Sequence, residues 1–209
     1  DAGCKALLGC TAVAAFIVKN CIPEFHDMSL EEIQEYIIYK KAKSQITPEE
    51  LAEIQASNTS PVEIGCHIVD DLPDKLNEST NEGTIYYDVL FDIGMPGGES
   101  PPSRVIVDIE AQNHFNPGYS MLKRGSFYCS RMISAQKETV FRNSDYNKLQ
   151  KVYSIWLCIA PDEKIRGVCN TYSMRETCLA KEHHFPKKQY DNFCIIIACL
   201  QDKQSANNM

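Results

Sequence analysis

The sequence predicts an α/β domain, a mixed β-sheet flanked by helices with a helical insertion ahead of the main strands. Three observations predict it. Helix signals crowd the first 56 residues. From residue 85 the apolar period drops to two. A second helical stretch, 117–135, then separates the first strands from later apolar runs. The 209 residues are 44% hydrophobic and 23% charged, the composition of an ordinary globular chain rather than a disordered or coiled-coil one. That length buries a core without help from metals or disulfides. The reading is one domain over 1–200 and a polar tail over 201–209, with no internal repeat.

The elements follow in order. Residues 2 to about 20 are rich in Ala, Leu, Val and Ile and read as one largely buried helix. Ser29-Leu30-Glu31-Glu32 is a capping box, with Ile33, Tyr36, Ile37 and Lys40 following at helical spacing. Thr47-Pro48-Glu49-Glu50 starts a second short helix, 48–56, with Pro at its first position. Residues 29–57 are thus a helical insertion. Residues 58–82, dense in Ser, Asn, Asp and Pro, are a loop with one short strand at 64–69. In 85–93 the odd positions are Ile, Tyr, Val, Phe and Ile, while Asp88 and Asp92 stand at even ones. Turn residues fill 95–102, and 104–112 alternates again, with Asp108, Glu110 and Gln112 even. A hairpin with one core face is expected. A helix over 117–135, a buried strand over 151–160 and strands at 171–175 and 193–200 complete the order.

Composition also excludes. No stretch reaches the ~18 apolar residues of a membrane span. The apolar run 6–18 lacks the basic leader and following cleavage site of a signal peptide. The first residue is Asp, so a trimmed or processed amino terminus is expected. The ten cysteines form no C-x-x-C pair, and several sit inside apolar runs. Free thiols in a reducing cytoplasm are therefore expected rather than a disulfide scaffold. Residues 1–110 hold 20 acidic and 7 basic residues, and 111–209 hold 8 and 14. The basic excess is densest over 123–151, either a solvated helix or a surface for a polyanion.

The hairpin carries a register argument. If its turn centres near residue 99, Asp88 lies opposite Glu110, with Cβ atoms about 4.5–5.5 Å apart. Two carboxylates so placed repel unless a proton or cation sits between them. Gln112 shares the face of Glu110. An oxygen-only set suits Mg²⁺ or Mn²⁺ rather than Zn²⁺. A solvent-facing row of acids explains the alternation equally well, and spacing leaves both readings open. Asp92 lies ~13 Å along the strand from Asp88 and reads as a solvated edge residue. Asp108 either supports the ligands from behind or belongs to a second metal, or, with more weight, is an exposed acid. Glu82 is either an extra carboxylate or a turn residue. His114 is a candidate proton carrier, with no role as the favoured reading. His183-His184 reads as a solvated loop, and Tyr153 and Trp156 read as core.

The run Asp88…Asp108-Ile109-Glu110-Ala111-Gln112 resembles the PD-(D/E)XK nuclease superfamily. More narrowly it resembles the bacterial transposase-like, recombination-promoting group, which shows a strand Asp, a hairpin and Ile-Glu-x-Gln. Lys123-Arg124-Gly125-Ser126-Phe127-Tyr128-Cys129-Ser130-Arg131 is similar to that group's next helix. Asp1-Ala2-Gly3-Cys4-Lys5 is similar to its Asp-x-x-x-Lys start, and Val152-Tyr153-Ser154-Ile155-Trp156 to its next core strand. The resemblance spans residues 1 to about 160. It implies an αβββαβ core and Mg²⁺-dependent (or Mn²⁺-dependent) hydrolysis of DNA phosphodiesters. Asp88 and Glu110 would hold the metal, and Gln112 would position the water. Arg124, Lys123 and Arg131 would contact DNA phosphates. Gln112 stands where the superfamily has Lys, so it orients without neutralising charge. A homodimer is the expectation for double-strand cutting. The alternative is a catalytically inactive nuclease-fold module that binds nucleic acid or a protein partner. A small-phosphoester hydrolase is a third reading.

Overall fold

The computed structural model describes residues 2–39, 87–95 and 104–201. The expected helix 48–56, loop 58–82, strand 64–69, hairpin turn and residue Glu82 lie outside the described residues. A six-stranded mixed sheet is the centre of the fold, in the order β1-β2-β3-β4-β6-β5. Its strands are β1 (Ile37–Tyr39), β2 (Val89–Gly94), β3 (Arg104–Gln112), β4 (Val152–Cys158), β5 (Cys169–Ser173) and β6 (Phe193–Cys199). β1, β2 and β3 are antiparallel neighbours, β3, β4 and β6 run parallel, and β5 returns antiparallel on the far edge.

The front of the chain departs from expectation in two places. The apolar stretch 2–20 is two helices, α1 (Ala2–Leu8) and α2 (Thr11–Cys21), broken at Gly9-Cys10. Helix α3 (Leu30–Tyr36) starts on the expected capping box, where the Ser29 amide donates to Glu32 Oε2 at 2.8 Å. It stops at Tyr36, and the chain enters β1 instead of continuing the insertion. Ile37-Ile38-Tyr39 is β-branched and aromatic, which suits a strand better than a helix, and pairing with β2 decides it. Ile33 of α3 is fully buried in the same core as α2.

Two apolar cores lie on opposite faces of the sheet. One is made by α1–α3 against Phe91, Val107, Ile109, Tyr153, Ile155 and their odd- or even-numbered equivalents in the other strands. The other is made by α4 (Met121–Ser134) against Leu90, Ile106, Val152, Trp156, Ile195 and Ile197. The hairpin was expected to bury one face. Both faces are buried, because α4 packs down on the second. Gly125 permits the close approach, since a Cβ there would stand 2.9 Å from Ile195 Cγ2 and 3.1 Å from Trp156 Nε1. No helix among the described residues is long and apolar enough to cross a membrane.

Candidate active site

The β2–β3 register is the one expected. Val89 pairs with Ile109 and Leu90 with Asp108. One step beyond the ladder, the Glu110 carboxylate takes the Asp88 amide and the Asp88 carboxylate takes the amide that follows Glu110. The Asp88 amide donates to Glu110 Oε1 at 2.8 Å, and the Ala111 amide donates to Asp88 Oδ2 at 3.0 Å. The pair stands at the carboxyl end of the parallel strands β3 and β4, where open α/β sheets place ligands.

Asp108 corrects the sequence reading. It is fully buried rather than exposed, under α4 and beside its register partner Ser154. Ser154 Oγ donates to Asp108 Oδ2 at 2.8 Å and accepts from Trp156 Nε1 at 2.9 Å. Among the described residues, no hydrogen-bond partner stands at Asp108 Oδ1. Burial, and then the neighbouring Glu110 charge, hold the Asp108 carboxyl well above its ordinary range. That direction favours the protonated form, which can donate to Glu110. Glu110 is 4% exposed. Burial, opposed by the Asp88 amide and reinforced by the Asp88 charge, pushes it up to about 7. A ladder of polar groups thus runs from Trp156 through Ser154, Asp108 and Glu110 to Asp88.

Two cations border the pair. Lys5 Nζ of α1 lies 3.1 Å from Asp88 Oδ1. The sequence offered Lys5 only through the helix-start pattern, and its contact with Asp88 is a tertiary fact. Arg124 sits in the first turns of α4 within electrostatic reach of Glu110. Its guanidinium donates to the hydroxyls of Tyr119 and Tyr128 and lies over the rings of Tyr119, Tyr128 and Trp156 at 5.0–5.5 Å. The aromatic cage holds Arg124 inward, whereas the same-helix Lys123 is exposed and Arg131 half-buried. Tyr128 lies four residues after Arg124 on the same face of α4, whereas Tyr119 reaches it from the turn that precedes the helix.

The remaining candidates lie as follows. Gln112 ends β3, half-buried, and its carbonyl accepts from the Ile159 amide at 2.9 Å. His114 is exposed, with its ring nitrogen 3.2 Å from Asn113 Nδ2. Asp92 is half-buried in the β1–β2–β3 ladder rather than solvated at an edge. In the basic stretch after α4, Lys148 pairs with Asp145 and Lys151 with Asp191 at 2.7 Å. Part of that positive charge is spent inside the fold. The cysteines among the described residues are free thiols. His184, read as loop, stands in a cluster with Glu176 and Cys178. Comparison with protein-family models, curated proteins and solved structures finds no significant match to this chain.

Proposed function

We propose that the chain is a divalent-cation-dependent phosphodiesterase of the PD-(D/E)XK kind acting on DNA, with Asp88 and Glu110 as its cation-holding carboxylates. One observation carries the reading. Two acids 22 residues apart are drawn together at a strand end, Glu110 by the Asp88 amide and Asp88 by the amide of Ala111, the residue after Glu110. The element order around them, α1–α3, β1, β2, β3, α4 and β4, agrees with an αβββαβ core. The donors fit Mg²⁺ or Mn²⁺, because Asp88, Glu110 and the Gln112 amide offer oxygen alone. When bound, the ion would lower the pKa of a water and stabilise charge on the phosphate.

The chain's own residues do the rest. Asp108 supports Glu110 from below with its proton. Ser154 and Trp156 fix Asp108 in turn. Gln112 orients the attacking water but leaves charge uncompensated. Lys123 is the exposed cation on α4 suited to a backbone phosphate, and such contacts position rather than specify. Arg124 acts from its cage through the field it places on Glu110.

The test is cleavage of supercoiled plasmid in Mg²⁺ or Mn²⁺. Wild type cuts, whereas Asp88→Asn and Glu110→Gln, folded by circular dichroism, do not. Equal cutting by all three rejects the reading. A second reading rests on Lys5. Its ammonium already supplies Asp88 with positive charge, as a nuclease-fold module without catalysis would need. Lys5→Met separates the two. A catalyst keeps or gains cation affinity when Lys5 is removed, and a module loses stability without gaining binding.

A further inference from the structure

We propose that Glu176, Cys178 and His184 form a second, chemically different cation site. It would take a borderline transition-metal ion of the Zn²⁺ class and staple the connection between β5 and β6. Residues 174–192 join those strands with a single 3-10 turn, Lys187–Gln189, as their regular structure. Connections of that length are uncommon unless they are functional or held by something.

The three ligand atoms already converge. They all lie within 4.8 Å of one another, the one such group of His, Cys, Asp or Glu among the described residues. Cys178 Sγ is 3.8 Å from His184 Nδ1. A tetrahedral zinc site with ordinary Zn–S and Zn–N bonds sets these atoms about 3.6 Å apart. Glu176 Oε2 is 2.8 Å from the same ring nitrogen. An ion entering there would replace the proton between them and spread the two atoms by roughly half an ångström.

The surroundings hold the ligands in place. Glu176 Oε1 accepts from the Phe185 amide at 3.0 Å, so the carboxylate is fixed by its other oxygen. That bond first, and His184 second, hold Glu176 below the usual carboxylate range. On the far side of the ring, His184 Nε2 lies 3.9 Å from Glu182 Oε1 and keeps that edge of the ring at the surface. Without an ion, the Cys178 thiol is 3.2 Å from the His183 carbonyl, where it donates its proton.

One sulfur, one nitrogen and one oxygen select against Mg²⁺ and for Zn²⁺. Three protein ligands leave the fourth position to water. The role is structural. Tying residue 176 to residue 184 removes freedom from a connection whose side chains are mostly exposed. Glu176 and Phe185 also line a cavity of about 310 Å³ with Met174, Arg175, Gln189 and Tyr190, so the ion would fix two of its walls. The Asp88–Glu110 pair plays no part.

The experiment titrates the full chain with Co²⁺ as an optical probe and competes it with Zn²⁺. Wild type should show a thiolate-to-cobalt band saturating at one ion per chain. Zn²⁺ should displace it and Mg²⁺ should not. Cys178→Ser and His184→Gln should each weaken Zn²⁺ binding on the order of a hundredfold. Absence of the band in wild type overturns the proposal. So does a band of unchanged affinity in Cys178→Ser, which would put the ion at another cysteine. If Cys178→Ser misfolds, limited proteolysis of wild type decides. Zn²⁺ should protect residues 174–192, and equal cutting with and without Zn²⁺ overturns the site.

Discussion

The two faces of β3 and β4 share one backbone and nearly the same burial, yet they differ in chemistry. Toward α1–α3, the strands present Val105, Val107, Ile109, Tyr153 and Ile155. Toward α4, they present Asp108, Glu110 and Ser154 among Ile106, Val152 and Trp156. The first face stabilises by removing apolar surface from water. The second buries acidic groups and keeps them tolerable with a raised affinity for the proton at Asp108, a hydroxyl and an indole N–H. Apolar side chains of similar volume are frequently as stable as a buried ionic cluster, so stability alone does not explain the second face. A ladder of this kind, ending at Asp88, is the departure from local consistency that the proposed function would account for.

The sharpest way to break the comparison is to cut each face in turn. Ile155 is fully buried on the apolar side. Ile155→Ala should lower unfolding free energy by about 2–5 kcal/mol, with the same loss at pH 5 and pH 8 by urea denaturation. A loss that varied with pH would mean that the faces are not separate.

Glu110→Gln should do the opposite. Burial raises the folded-state affinity of Glu110 for its proton from 4.5 to about 7. The unfolded chain therefore releases that proton first as pH rises. The stabilisation is fully present below about pH 4.5 and is lost on approach to pH 7, by an amount on the order of 3 kcal/mol. The Gln variant should show a flatter profile over that window and should gain on wild type as pH rises. Parallel profiles would contradict the buried-acid account.

A smaller effect is expected at Gly125. Gly125→Ala gains helix propensity of about 1 kcal/mol but places a methyl against Ile195 and Trp156. Overpacking of this kind costs about 1–3 kcal/mol, so a modest net loss of stability is expected. It should also shift Trp156 fluorescence, because α4 must lift from the sheet. A stabilised variant with unchanged fluorescence would show that the α4 packing is looser than described.

Much of this was legible in the chain. The alternation through 85–93 and 104–112 places Asp88 opposite Glu110 once a turn centred near residue 99 is assumed, and the Val89–Ile109 and Leu90–Asp108 pairs match that register. The covered second face was not legible. Asp108 and Glu110 look solvent-facing in a two-residue period, and only α4 docking makes them core. The hint was on α4 itself, where Met121, Gly125, Tyr128, Cys129 and Met132 form one stripe. The entry into β1 was hidden because Ile33, Tyr36 and Ile37 fit a helix as well as a helix end. The Glu176, Cys178 and His184 group was missed because its spacing follows no metal motif and a folded loop brings it together.

Calorimetry of Mn²⁺ binding at neutral pH tests the central claim most directly, run on wild type and Glu110→Gln, each in a Cys178→Ser background. The account predicts one Mn²⁺ per chain in the first and none in the second. Equal heats from the two proteins, or no heat from either, would contradict it.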